Sequence, residues 1–404
     1  MNIVFVCESA VVSGGAEKIA IEEALELSTR GHKIGYIAGN NEADPALIAA
    51  GVEVLLLDTC SFFEETDRKT KVRKLLWNPP IEPAVREFLA PFATAETVVH
   101  LLTFRLKLSG IVGHVAQSMG FATVVHCLDY SPICPTSLYY DHRKQENCTR
   151  KPMSLSCITC ECQGQAWKYK LPKLTSHFWN QSVWKINRRA QGLLHLSQLE
   201  QKTIEAQMKI ATPGYPVLPI GENVPVERVA AESNKNFVFI GRLTSEKGPL
   251  EFLECAKAAG VPAVIIGDGP QGEEARERFP EARFTGWIKI DQIIGELQRA
   301  RAVVVPSVWR ETLCLSVIDA MRMGVPCIVS ENVGAKQYIE NGATGVRFKD
   351  GNLLEAISRF SDDRLVERMS RGAWQVFADS PPSIENHVNE LVEIYAKCLA
   401  AKHP

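Results

Sequence analysis

The sequence predicts an α/β protein made of two doubly wound units. Three observations carry this reading: short apolar runs alternate with amphipathic segments, the alternation comes in two series, and 404 residues exceed what one core organises. In the first series NIVFVC leads into GGAEKIAIEEALELSTRGH, followed by KIGYIAG, VEVLLLD, a helix near IEPAVREFLAPF, TVVHLLT, LKLSGIVGHVAQSMG and ATVVHC. Continuous Val/Ile runs of this kind are parallel strands covered on both faces by helices. The rhythm stops between about 130 and 190 and resumes with GLLHLS and a helix through LEQKTIEAQMK. TPGYPVLPIGENVP, residues 212–225, then reads as a Pro- and Gly-rich crossing between domains. The second series runs FVFIGR, PLEFLECAKAAG, PAVIIGDG, a helix near EEARERF, RFTGW, DQIIGELQRAR, AVVVPS, a helix within ETLCLSVIDAMRMG, PCIVS, GAKQYIENG and GVRFK. Domains are therefore expected over 1–217 and 218–384, with a last helix at 385–404 whose packing on the first domain the pattern leaves open. Tandem units of this type place strand C-termini and helix N-termini on a shared cleft.

The net charge of -2 excludes a global attraction to nucleic acid or anionic lipid, so such a partner needs a local patch. MNIVFVCESAVVSGG lacks the basic start and apolar run of a signal peptide, and no run of about 18 apolar residues occurs, which predicts a cytoplasmic chain. Five of the twelve cysteines, Cys134, Cys148, Cys157, Cys160 and Cys162, crowd into the 130–190 insertion. In a cytosolic chain a C-x2-C-x-C run favours metal over disulfide, and Cys148, Cys157, Cys160 and Cys162 would close a structural zinc site; packing thiols and redox chemistry are the other readings. Between Arg143 and Arg189 basic residues far outnumber acids, with Trp167, Tyr169, Phe178, Trp179 and Trp184 interleaved. That suits a membrane interface or a lipid-linked pyrophosphate, and also single-stranded nucleic acid or a solvated loop over packed aromatics.

Three segments carry chemistry. In WRETLCLSVIDAMRMGVPCIV, Glu311 precedes a helical pattern and Asp319 follows eight positions on, about 12 Å along a helix axis. The backbone N–H groups of Thr312, Leu313 and Cys314 would form an anion-binding helix terminus between two carboxylates, which fits an extended ligand with a central phosphate. Read plainly, Glu311 complements a helix dipole and Asp319 lies on a solvated face. In FVFIGRLTSEKGPLEF, Arg242 ends a strand and Lys247 lies in the loop before Gly248, so two cations can converge on one anion. In SGGAEK, Gly14 and Gly15 admit a ligand close to the backbone, although a tight turn explains them almost as well.

GGAE, GRLTSEKG, GDGP, FTGW and PSVWRETLCLSVIDAMRMGVPCIVS together resemble the family-4 retaining glycosyltransferases of the GT-B fold. The resemblance covers nearly the whole chain, is most specific over 237–330 and fails only between about 130 and 190. It implies two Rossmann-like domains facing across a cleft and transfer of a hexose-type sugar from a UDP- or GDP-linked donor to a glycan or lipid-linked glycan in surface-polysaccharide assembly; the basic aromatic region 143–189 would hold the cytoplasmic chain at the inner face of the plasma membrane. Arg242 and Lys247 would hold the diphosphate, Glu311 the sugar, Thr312, Leu313 and Cys314 the phosphate and sugar, and Asp319 the ribose. Gly286, Trp287 and Ile288 would line the base pocket, while Gly14, Gly15 and His126 would reach the donor from the first domain. His126 also reads as a satisfied core histidine. Two departures matter: Asp319 stands where the family usually has Glu, and Cys314 replaces a common Gly and narrows the sugar pocket. No D-x-D pair occurs, so the resemblance implies no cofactor in catalysis. The alternatives are a non-catalytic nucleotide-sugar-binding protein and a phosphorylase or epimerase on the same fold.

Overall fold

The computed structural model describes the chain apart from residues 61, 63, 68, 71–78, 106, 165, 166, 222–226, 350, 379, 380, 403 and 404. Its first domain holds a seven-stranded parallel sheet of β1 (Asn2–Cys7), β2 (Lys33–Ala38), β3 (Glu53–Leu56), β4 (Thr97–Leu101), β5 (Ala122–Cys127), β8 (Gly192–His195) and β9 (Gly214–Pro216), in the order β3-β2-β1-β4-β5-β8-β9. The two missing numbers, β6 (Tyr140–Asp141) and β7 (Glu146–Asn147), form an antiparallel hairpin inside the insertion. A six-stranded parallel sheet builds the second domain from β10 (Asn236–Ile240), β11 (Ala263–Ile266), β12 (Arg283–Gly286), β13 (Ala300–Val305), β14 (Cys327–Ser330) and β15 (Gly345–Phe348), ordered β12-β11-β10-β13-β14-β15. Each sheet reverses its strand order once, between β1 and β4 and between β10 and β13, and the crevice outside such a reversal is where open α/β sheets bind ligands.

Every residue of β5 and β13 is buried, which is why these strands read as unbroken apolar runs and not as alternating ones. One apolar cluster runs without a break from Ile3 and Phe5 through Leu196 and Ile220 to Leu313, Val317 and Val329, so the domains share packed surface. The expected interdomain crossing starts later than the sequence suggested, because residues 214–216 pair with β8 as an edge strand, a position that tolerates Pro216. Its residues 222–225 lie outside the described chain.

The final helix, Ile384–Lys402, returns to the first domain. It buries His387, Val388, Leu391, Ile394, Tyr395 and Cys398, a stripe at three- and four-residue spacing. Tyr395 Oη lies 2.7 Å from His100 Nδ1, and His387 Nε2 lies 2.8 Å from Glu23 Oε1 of the first helix, Gly15–Thr29. The insertion folds as the β6–β7 hairpin and short helices at Leu155–Thr159, Leu171–Phe178 and Ile186–Arg189, with a π-helical turn at Trp179–Val183. Among the described residues no helix is long and apolar enough to cross a membrane.

Candidate functional site

The centre of the site is made where two loops of the second domain touch. After β10 the chain turns through Ser245–Lys247 into Gly248, which has φ +70° and lies so close to β13 that a Cβ there would meet Pro306 O at 2.6 Å. Only glycine allows that approach without displacement. Val308 N–H donates to Glu246 O at 3.0 Å and fastens the two loops. Lys247 Nζ then reaches Glu311 Oε1 at 2.7 Å, and Ser307 Oγ donates to the same oxygen. Glu311 is buried; desolvation alone would raise its carboxyl, but the charge and hydrogen bond of Lys247, with bonds from Ser307 and Cys314, outweigh it and hold the group below the ordinary glutamate range. Burial likewise opposes the Lys247 charge, and Glu311 more than offsets it.

The helix expected to begin at Glu311 begins at Leu315. The reason is strand-like pairing: Glu311 N–H donates to Asn332 O at 2.9 Å, Gly334 N–H to Glu311 O at 3.0 Å and Ala335 N–H to Leu313 O at 2.8 Å, which keeps 311–313 extended. Cys314 then turns the chain into the helix at φ 85°, ψ 87°, a left-handed conformation that favours glycine and strains a side chain. Asp319 is not on a solvated face; it is 9 % exposed, on the helix side that meets Gly221 of the crossing. Arg242 is exposed at the end of β10, and Trp287 is 70 % exposed beside Gly286.

A cavity of about 210 Å³ lies where the domains meet, walled by Gly15 and His126 from the first, by Thr312, Leu313, Cys314 and Leu315 from the second, and by His387 from the final helix. It gathers five of the residues singled out in the sequence; Arg242, Lys247, Glu311, Asp319 and Gly286–Ile288 are outside its lining. The insertion helps close it, since Asn147 of β7 donates to Val308 O and accepts from Arg310 N–H, both at 2.8 Å, while Thr312 Oγ1 donates to Leu128 O at 3.2 Å.

Behind His126 stands a buried network that the sequence reading missed. Glu23 bonds His387 and lies 3.4 Å from His100 Nδ1 and 3.8 Å from His126 Nδ1, and the His100 and His126 rings stack at 5.3 Å. Burial pushes His100 down to about 4 and His126 well below its ordinary value, so both rings are neutral near pH 7; the hydrogen bond and charge of Glu23 overcome burial at His387 and raise it. The signal was present: Ile19, Glu23 and Leu27 share one helical stripe, and an acid in a buried stripe needs a partner.

Among the described residues, metal-ligating atoms gather within 4.8 Å of one another in two groups of three, Glu23/His100/His126 and Cys127/His195/Glu200. Both are already hydrogen-bonded networks, through His387 and Tyr395 in the first and through the 2.9 Å His195–Glu200 contact in the second. Neither contains Cys148, Cys157, Cys160 or Cys162. Instead the Lys170 ammonium donates to Cys160 Sγ at 3.1 Å and to the carbonyls of Cys157 and Cys160, so it competes with any cation for that sulfur.

Residues 234–363 match the family described as glycosyl transferases group 1. The chain is 30 % identical over 167 residues to a GDP-mannose-dependent alpha-mannosyltransferase of Corynebacterium glutamicum, covering 40 % of each chain. It is 26 % identical over 195 residues to a UDP-Gal:alpha-D-GlcNAc-diphosphoundecaprenol alpha-1,3-galactosyltransferase of Escherichia coli, covering 44 % of this chain and 49 % of that one. The chain thus spans less than half the length of these curated relatives. Over nearly full length it superposes on a sucrose-phosphate synthase from Thermosynechococcus elongatus (TM-score 0.69, 15 % identity, 99 % of both chains) and on Anabaena Alr3699/HepE in complex with UDP-glucose (TM-score 0.65, 15 % identity, 98 % and 99 %). Those likenesses establish the fold, which is GT-B.

Replacing Lys247 by Met leaves Glu311 buried without its counter-charge, and the expected loss is about 3–5 kcal/mol at neutral pH. Because the Glu311 carboxyl is depressed in the folded protein, the pair's contribution is present above the ordinary glutamate range and lost as pH falls through the depressed value. Without Lys247, only the Ser307 and Cys314 bonds oppose burial and the acid-side loss begins at higher pH. Urea unfolding across the acid range checks both; an unchanged midpoint and pH profile would mean the pair is not coupled.

Proposed function

We propose that the protein is a retaining glycosyltransferase that moves a hexose-type sugar from a nucleoside diphosphate donor to an acceptor hydroxyl. The observation that carries this reading is the Lys247–Glu311 pair standing beside a cavity walled by both domains. An ammonium has three donors, so Lys247 can keep one on Glu311 and offer another to a phosphate oxygen. Arg242, exposed just beyond β10, would add a planar fork for the diphosphate, and the N–H groups of Thr312, Leu313 and Cys314 neutral donors. Glu311 stays ionised and accepts from sugar hydroxyls; Asp319 takes the ribose, and Gly286–Ile288 the base.

The reaction on this reading needs no protein base. As the bond from the anomeric carbon to the diphosphate oxygen breaks, the acceptor oxygen bonds to that carbon on the same face, and the departing phosphate oxygen takes the acceptor's proton. Neutral His126 positions hydroxyls and does not supply a charge. Rate enhancement comes from stabilising the leaving diphosphate and from excluding water where the domains meet.

A lipid-linked glycan acceptor fits the outer face of the insertion. Leu155, Trp167, Tyr169, Leu171, Phe178 and Val183 are exposed there among basic residues, the composition that holds a protein at an anionic bilayer surface. The Escherichia coli relative is named for a diphosphoundecaprenol-linked substrate.

Arg242→Ala is the cleaner test of the diphosphate clamp, because the exposed side chain can be removed without disturbing the buried pair. Transfer, or slow hydrolysis of a UDP- or GDP-sugar, should fall about 100-fold with the melting temperature unchanged; a near-normal rate would end the clamp reading. The protein should also cosediment with vesicles containing phosphatidylglycerol at low salt and release at high salt, and failure to sediment at low salt would remove the membrane contact.

A further inference from the structure

We propose that Asn147, in the insertion of the first domain, is a positioning residue for the Lys247–Glu311 pair of the second. This role rests on the transfer reading above and serves the reaction from across the domain boundary. Asn147 belongs to β7, in the stretch between about 130 and 190 where the family resemblance fails, so the resemblance assigns it nothing. It lies outside the lining of the cleft cavity, and what it holds is the chain that carries Glu311.

The carboxamide of Asn147 does for residues 308–310 what a neighbouring strand would do. Nδ2 donates to Val308 O and Oδ1 accepts from Arg310 N–H, both at 2.8 Å. A carbonyl and an N–H two residues apart are the pair that a parallel strand presents to one residue of its neighbour. These two partners also fix which way the amide lies, since a carbonyl needs the NH2 group and an N–H needs the oxygen. Nδ2 bonds Asn332 Oδ1 as well, at 3.3 Å, and the Asn332 carbonyl accepts from Glu311 N–H at 2.9 Å. One side chain of the first domain thus bonds both stretches that frame Glu311.

From that segment to the cation is a short step. Val308 N–H donates to Glu246 O at 3.0 Å, beside Lys247, and Lys247 Nζ stands 5.4 Å from the centre of the Trp309 ring. Residues 308–310 are therefore held between the Lys247 turn on one edge and Asn147 on the other. Without Asn147, Val308 O and Arg310 N–H lose those bonds, and one edge of the segment is released while the other stays fastened. The support behind Asn147 is braced. It pairs with Tyr140 across the β6–β7 hairpin, Cys148 N–H donates to Tyr139 O at 3.0 Å, and Arg150 pairs with the buried Asp141 at 2.8 Å. The Arg310 guanidinium adds a second tie, donating to Cys148 O at 3.3 Å and lying 5.8 Å from the centre of the Tyr139 ring. An amide delivered by a braced hairpin reaches its partners in one orientation, which is what a positioning group requires.

Two variants of the full chain test the assignment by kinetics, nucleotide binding and amide hydrogen exchange. Asn147→Ala removes the amide; Asn147→Asp keeps its size but turns a carboxylate oxygen toward Val308 O, where no donor remains. With a UDP- or GDP-sugar that the protein turns over, kcat should fall about 10-fold in both. UDP or GDP should bind within about twofold of the unchanged protein, because Arg242, Asp319 and Gly286–Ile288 belong to the second domain alone. Exchange over 308–312 should rise in both variants while the rest of the second domain exchanges as before. If one variant does not fold, the other carries the test. A near-normal kcat, unchanged exchange over 308–312, or a loss of nucleotide binding as large as the loss of kcat overturns the proposal. Raised exchange over 308–312 in a protein that binds neither UDP nor GDP and turns over no sugar of either would instead remove the transfer reading and leave Asn147 as the clamp on the Glu311 loop.

Discussion

The structure depends on one ion pair built around a buried carboxylate. Lys247 and Glu311 come from loops that follow different strands, and the buried Glu311 carboxylate would not be stable where it stands without the half-buried Lys247 ammonium. Their meeting is made possible by backbone at Gly248, whose left-handed conformation and missing Cβ let the 245–248 turn rest against Pro306. Glu311 is further fixed by strand-like bonds to Asn332 and Gly334, so the carboxylate points inward from an extended segment and is not the cap of a helix. The consequence for function is a cation held at a fixed position beside the cleft. Its location is set before any ligand arrives, which is the condition for electrostatic stabilisation of a leaving group.

A second layer of organisation joins the domains around that pair. The insertion hairpin grips the loop preceding Glu311 through Asn147, and Thr312 bonds the end of β5 through Leu128. From the other side the final helix brings His387 to Glu23 and Tyr395 to His100, so the rings behind His126 are held by residues nearly the whole chain length apart. Neutral His126 lines the cleft cavity from the first domain, while the Lys247–Glu311 pair stands outside the second-domain lining formed by Thr312, Leu313, Cys314 and Leu315. Charge on one side and apolar, hydrogen-bonding surface on the other suit a ligand with one anionic end.

Much of this was legible in the sequence. The two series of apolar runs, Gly248 after Lys247, and Glu311 ahead of an apolar helix gave the sheets, the two loops that meet at Lys247 and Glu311, and five of the residues that line the cleft cavity, because parallel strands and tight strand–helix turns leave local signatures. What escaped was set by contacts distant along the chain. Helix start at Leu315 depends on pairing with 332–335, which no local pattern reports, and the strand at 214–216 is fixed by β8. Glu23 and His387 looked like ordinary helix residues until the final helix was seen to pack on the first, although an acid in the Ile19–Leu27 stripe was a clue. The cysteine spacing suggested a metal, and only the fold shows Lys170 bonded to Cys160 among those thiols.

The central claim is that Lys247 shares its ammonium between Glu311 and a donor phosphate. A crystal structure of the protein soaked with UDP or GDP tests it directly. The account predicts a diphosphate oxygen about 3 Å from Lys247 Nζ, with Glu311 still bonded to the same nitrogen and Arg242 on the second phosphate. A nucleotide bound with its phosphates turned away from Lys247, or a Glu311 carboxylate released into solvent when the nucleotide enters, would contradict it.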